Sequence, residues 1–266
     1  MSTSPKPTLL FVGGTDSSRK AGLDADQEAA AAHACKAVPI ACAETDQDLF
    51  EVRSVEERLM WERRAHDEVS RRAPDGSRAI AAMKFGLLPG VASIVEAARL
   101  IARISHGPDP IPAVVDPVIR SSSGYRFWRD REMVAVRDSL LIAGPILTPN
   151  LDELAELAWL DRNQIDESES VRIRAAEALL HGGASAVVAK GGHGPKGALV
   201  RDLVLQPGQE PIWIERSREP GEGIRGSGCR FASALACELA HGKSLPEAAE
   251  SAGAFVARQI REAATL

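Results

Sequence analysis

Cys229 follows Gly226, Ser227 and Gly228 in the stretch GIRGSGCRFASALA, which then continues as a run of small helix formers. A glycine-rich turn that opens a helix leaves the first backbone N–H groups without intrahelical partners, so the helix start can hold an anion. The same field favours thiolate, and a thiolate there can serve as base or nucleophile beside a bound phosphate. The residue types fit a second reading equally well: Gly226 and Gly228 make a tight turn and Cys229 is a small buried hydrophobe. Further polar residues stand where apolar runs stop, namely Gly14 to Asp16, Gln47, Asp116, Asn150 and Lys190 to His193. If those runs are parallel strands, the residues converge, because ligands in open α/β sheets bind beyond the carboxyl ends of the strands.

The elements that would position them alternate along the chain. Short apolar runs at 8–14, 38–44, 79–86, 111–117, 146–150 and 184–192 read as strands. Stretches of helical period at 23–37, 54–73, 91–104, 151–160, 169–183, 229–241 and 244–264 read as helices, with capping boxes at Ser54/Glu57 and Ser244/Glu247. Residues 197–206 and 211–217 look like a hairpin or edge pair. This alternation predicts a three-layer α/β/α fold with a mainly parallel central sheet. A chain of 266 residues can form this as one domain, with residues 1–7 expected to be disordered.

Composition removes several function classes. A net charge of −5 without a basic stripe, one Tyr and four Trp argue against a nucleic-acid partner. No run approaches the length of a membrane span, and no signal peptide is recognisable. Cys35, Cys42, Cys229 and Cys237 form no C-x-x-C pair, so a reducing cytoplasm is expected. The GKS at 242–244 has Cys237 where a Walker loop needs glycine and joins two helices, so it is discounted. No G-x-G-x-x-G follows a strand, and no zinc motif is present.

Seven segments in order then resemble the ribokinase-like superfamily, and within it the hydroxymethylpyrimidine/phosphomethylpyrimidine kinases of thiamine biosynthesis. GGTDSSRKAGLDAD (13–26) resembles the family's G-S-D-x-S-G-G-A-G-x-x-A-D, and TDQD (45–48) its T-A-Q-N. MKFGLL (83–88) is similar to K-I-G-M-L, VVDPVIRSSSG (114–124) to V-x-D-P-V-x-x-x-x-S-G, and LTPNLDE (147–153) to T-P-N-x-x-E. AKGGH (189–193) and RGSGC (225–229) resemble V-K-G-G-H and H-G-T-G-C.

The resemblance implies transfer of the ATP γ-phosphoryl group to a primary alcohol on a small heterocycle, an aminopyrimidine, by a homodimer. It implies that the backbone of Gly226, Ser227 and Gly228 binds the transferring group and that Cys229 takes the hydroxyl proton. Glu153 and Asp116 would hold Mg²⁺, while Asn150, Lys190 and Gly192 would line the nucleotide site. Gly14, Ala21, Asp26, Gln47 and Val118 would surround the heterocycle, where a carboxamide such as Gln47 offers both a donor and an acceptor. The chain departs from the pattern at Arg19-Lys20, which replace Gly-Gly, at Ser122 in place of Lys, and at Arg225 and Ser227 in place of His and Thr. Those departures leave open a cysteine-type pyridoxal kinase and a non-catalytic ligand-binding relative.

Overall fold

A computed structural model of the chain describes residues 6–47, 51–58, 60–105, 109–193, 199–221 and 223–265. Its first strand, β1 (Thr8–Asp16), is apolar at almost every position because both of its faces are covered. Leu9 and Phe11 turn to one side and Leu10 and Val12 to the other, each fully buried in a separate apolar cluster. The expectation of disorder over residues 1–7 falls mainly on residues 1–5, which lie outside the described residues; Pro7 accepts a backbone hydrogen bond from Lys36 at 2.8 Å.

The other strands are β2 (Lys36–Gln47), β3 (Val52–Glu57), β4 (Ala82–Phe85), β5 (Ala113–Val115), β6 (Ile146–Leu147), β7 (Ala186–Ala189), β8 (Leu199–Leu205) and β9 (Ile212–Ser217). Among the described residues they form one nine-stranded sheet of order β3-β2-β1-β4-β5-β6-β7-β8-β9. Pairing is parallel from β2 through β7, and β3, β8 and β9 add antiparallel edges. Helices α1 (Gly22–Ala32), α8 (Ser227–Ala240) and α9 (Leu245–Ala263) pack on the face carrying Leu9 and Phe11. Helices α2 (Trp61–Ser70), α3 (Val91–Ser105), α4 (Asp130–Ala135), α5 (Leu151–Leu157), α6 (Arg162–Glu167) and α7 (Glu169–His181) cover the other face. The three layers are therefore as expected. No helix among the described residues is long and apolar enough to cross a membrane.

The chain leaves β1 for β2 on one side and returns to β4 on the other, so strand order reverses at β1. That reversal opens a crevice at the carboxyl ends of the strands. The ends of β1, β4, β5, β6 and β7 carry Gly14, Gly86, Asp116, Asn150 and Lys190 into it.

Two expected elements are corrected. Residues 54–73 do not form one helix: Val52–Glu57 is β3, paired antiparallel with the end of β2. Ser54 stands opposite Asp46, and Glu57 accepts a hydrogen bond from Ser93 Oγ, so neither residue makes the expected capping box. Val52 and Val55 are β-branched and half-buried, and edge pairing outweighs the helical period; α2 begins only after Met60, at φ +64. The first helix ends at Ala32 instead of Ala37, because Ala34 turns left-handed at φ +55 and Lys36 pairs in β2. The short helices α4 and α6 were not expected, whereas the Ser244/Glu247 box does cap α9.

One turn fixes the approach of α1 to β1. Gly22 has φ +60, and a Cβ there would fall 2.2 Å from the Gly14 carbonyl oxygen. Gly22→Ala is expected to lower stability in urea denaturation by at least about 1–3 kcal/mol, the cost of a left-handed non-glycine residue alone. An unchanged midpoint would show that this turn is free to relax.

Candidate active site

The crevice is a cleft of about 1090 Å³, large enough for two small molecules side by side. All fourteen site residues expected from the sequence line it. They come from five strand ends with the loops that follow them, and from the starts of α1, α5 and α8.

The start of α8 is shaped by glycine. Gly226, the N-cap, has φ +76, and a Cβ there would meet Lys20 O at 2.6 Å and Ala21 Cα at 3.1 Å. Arg230 Nη1 donates to the carbonyls of Lys20 (3.0 Å) and Arg225 (2.9 Å), tying this turn to the one before α1. Ser227 N reaches Ile224 O at 3.3 Å. The amides of Gly228 and Cys229 lie in the first helical turn, where no i−4 carbonyl serves them, and so are placed to receive an anion.

Against this turn lies an ion pair. Lys190 Nζ is 2.8 Å from Asp116 Oδ1, and a Cβ on Gly228 would sit 3.3 Å from that nitrogen and 3.5 Å from Asp116 Oδ2. A side chain on Gly228 would press on the lysine end, so glycine gives the pair its close approach to the helix. Burial opposes the Lys190 charge, but Asp116 and Glu153 more than offset it and hold the ammonium above its usual range.

Asn150 and Glu153 cap α5 reciprocally: Asn150 Oδ1 accepts from Glu153 N at 2.9 Å, and Glu153 Oε2 accepts from Asn150 N at 2.8 Å. Glu153 is 8% exposed, and its carboxyl is pushed up to about 8, chiefly by burial, with Asp116 adding and Lys190 opposing. A buried carboxyl whose ionisation is opposed by burial and by a neighbouring carboxylate is a donor that a divalent cation relieves. Among the described residues no group of three or more His, Cys, Asp or Glu could hold a metal. Asp116 and Glu153 are the carboxylate type of donor that Mg²⁺ takes one or two of, completing its shell with water and phosphate oxygens.

Cys229 is half-buried, and the nearby Gly22 amide favours its thiolate form. The expectation of a resting thiolate is corrected: burial, joined by Asp116 and Asp26, pushes the thiol up to about 11, against the pull of Lys84 and that amide. Lys84 itself is fully buried and 2.8 Å from Asp26 Oδ1, which also accepts from Ser233 Oγ at 2.7 Å. Asp26, expected beside the heterocycle, is 0% exposed and forms the wall behind Lys84; its Oδ2 has no partner among the described residues. Lys84 was given no role from the sequence, although a lysine inside the apolar run AIAAMKFG was the available signal.

At the other end, Gln47 closes β2. Its Nε2 donates to Thr45 Oγ1 at 3.0 Å, leaving its oxygen and one N–H for a ligand in the cleft that Gly14, Ala21 and Val118 also line. Arg225 Nη2 is 3.3 Å from Asp16 Oδ2, so the residue replacing histidine joins the loop after β1 to the loop before α8. Arg19 and Lys20 are exposed and do not line the cleft. Gly192 is exposed, with Arg218 Nη1 donating to its carbonyl at 2.8 Å, and the His193 side chain lies outside the described part.

A family model described as phosphomethylpyrimidine kinase matches residues 16–266. The chain is 34% identical over 256 residues to the hydroxymethylpyrimidine/phosphomethylpyrimidine kinase of Streptomyces coelicolor, covering 96% of this chain and 88% of that one. It superposes with a TM-score of 0.81 and 26% identity on a pyridoxal kinase from Staphylococcus aureus in complex with AMP-PCP and pyridoxal, over 97% of this chain and 89% of that one. A phosphomethylpyrimidine kinase from Clostridium difficile shares the fold at a TM-score of 0.74 and 24% identity, over 96% and 99% of the two chains.

The raised Cys229 pKa has a direct consequence. Alkylation of Cys229 by iodoacetamide, followed by peptide mass mapping, should accelerate about tenfold per pH unit from about pH 7 to 10, since only thiolate reacts. A plateau below about pH 8 would instead mean a thiolate at rest.

Proposed function

Because the chain belongs to the phosphomethylpyrimidine kinase family, we propose that its cleft transfers the γ-phosphoryl group of ATP to 4-amino-5-hydroxymethyl-2-methylpyrimidine and then to the monophosphate so formed, in thiamine biosynthesis. The chain is a phosphotransferase, and the observation that carries the reading is the Lys190–Asp116 pair lying against Gly228 at the start of α8. Phosphoryl transfer asks a protein mainly for placement and charge neutralisation. Lys190 supplies a fixed cation for the phosphates, and the Gly228 and Cys229 amides receive the transferring group. Asp116 and Glu153 would hold Mg²⁺, which when bound neutralises phosphate charge.

Cys229 takes the hydroxyl proton as the alcohol oxygen bonds to phosphorus and the bond to the departing nucleotide oxygen breaks. The sulfur must first lose its own proton to solvent water, so the Lys84 ammonium and the Gly22 amide, which favour thiolate, act in its support. Asn150 and Gly192 border the nucleotide, with Asn150 also capping α5. Gly14, Ala21, Gln47 and Val118 enclose the pyrimidine ring, and the Gln47 carboxamide meets its polar edge. Asp26 acts from behind, through Lys84. We read residues 1–266 as one kinase domain, supported by the single sheet, and as a cytoplasmic homodimer, in keeping with the family resemblance and the free cysteines.

The test is incubation with Mg²⁺, ATP and a panel of the hydroxymethylpyrimidine, its monophosphate and pyridoxal, with product and ADP measured. The pyrimidine should be preferred. A preference for pyridoxal of about tenfold or more, a difference of about 1.4 kcal/mol, would overturn the acceptor assignment. Binding without turnover would favour a non-catalytic relative. In the same assay, Cys229→Ser should lower turnover by about 10²- to 10⁴-fold while ADP affinity stays level, the range expected for a lost general base. Turnover equal to wild type would return the thiol to a packing role.

A further inference from the structure

Asp202 lies on β8, fully buried between apolar neighbours, next to the strand whose end carries Lys190. A carboxylate is an expensive choice at such a position unless its charge and lone pairs are used. Asp202 Oδ1 accepts the Gly191 amide at 2.7 Å, and Oδ2 pairs with Arg216 of β9. Arg216 is braced in turn by α9, since a Cβ on Gly253 would fall 2.7 Å from its Nη1. On the same side, a Cβ on Gly191 would fall 2.0 Å from the Arg201 carbonyl oxygen. Toward β6, Lys190 N donates to Pro149 O at 2.8 Å. The backbone at 190–191 is thus gripped from both neighbouring segments, and Asp202 with Arg216 forms the inner jaw.

We propose that Asp202 is a positioning residue for nucleotide binding: with Arg216 it clamps the backbone at Gly191 and thereby sets where Lys190 and Gly192 meet the phosphates. The proposal rests on the assignment of Lys190 and Gly192 to the nucleotide. Asp202 does not touch the reacting atoms, so its loss acts on ATP and not on the acceptor.

Two variants separate this role from a general contribution to the fold. Asp202→Asn keeps an acceptor for the Gly191 amide but releases the Arg216 charge, and Gly253→Ala presses on Arg216 from α9 without altering Asp202. ATP binding by calorimetry and separate KM values for ATP and acceptor are measured for each, alongside thermal melting. Both variants should bind ATP about tenfold more weakly and raise its KM correspondingly, with acceptor KM within about twofold of wild type, as expected for misplacement of a binding group. The double variant Asp202→Asn, Arg216→Gln, which pairs two amides, should recover part of the loss. Folded variants that bind ATP like wild type overturn the clamp, as does a proportional loss of ATP and acceptor affinity. If Asp202→Asn does not fold, Gly253→Ala decides alone. Wild-type protein is titrated first: failure to bind ATP there overturns the kinase reading itself, whereas wild-type binding that the variants retain overturns the clamp alone.

Discussion

Lys190 and Asp116 follow β7 and β5, two strands with β6 between them, so their 2.8 Å contact requires both side chains to reach across the end of the intervening strand. The parallel register aligns Val115, Leu147 and Val187, so Asp116 and Lys190 leave the same edge of the sheet, and Gly228 sets no Cβ against them. The pair is largely dehydrated, and removing one member of such a pair typically costs about 3–5 kcal/mol because the other charge is left unmatched. Glu153 adds a second carboxyl to the same neighbourhood and is held there by its capping bonds to Asn150. These contacts tie the cluster to one geometry, and fixed charges are what charge stabilisation in a transition state needs.

Behind this layer, Lys84 and Asp26 decide what Cys229 can do. The thiol sits among a fixed cation, two carboxylates and the amide of Gly22, and burial tips the balance toward the neutral form. A helix N-terminus alone would have favoured thiolate. Burial, with the surrounding carboxylates adding to it, reverses that preference, so the reactivity of this cysteine belongs to the cluster and cannot be read from the GSGC turn alone. Arg230 and Arg225 join the glycine turn to the loop after β1, so the proposed phosphoryl and acceptor halves of the cleft share one set of hydrogen bonds.

Much of this was legible in the residues. Apolar runs ending in Gly14, Asp116, Asn150 and Lys190 identified the parallel strands and the edge at which the cleft opens, because buried central strands and their polar exits have distinct compositions. One edge was legible as the β8–β9 pair, but the other was not: Val52–Glu57 has the letters of a capped helix, and its pairing with β2 is a tertiary fact. Nor did local spacing reveal that Asn150 and Glu153 are capping partners as well as candidate ligands, or that Asp26 faces a buried lysine 58 residues away. Lys84 and Asp202 share that difficulty. Lys84 stands in an apolar run and Asp202 in the mixed stretch LVRDLVL, and the partner of each comes from another element, so a signal was present without its meaning.

The central claim is that Lys190 and the side-chain-free space at Gly228 work as a single phosphate site. A double-mutant cycle of Lys190→Ala and Gly228→Ala, read as kcat/KM for ATP, tests it most directly. The penalty of Gly228→Ala should shrink by about 1 kcal/mol or more when Lys190 is already absent, since contacting groups couple by about 0.5–3 kcal/mol. Penalties that add to within about 0.5 kcal/mol would mean that the two act separately and would contradict the account.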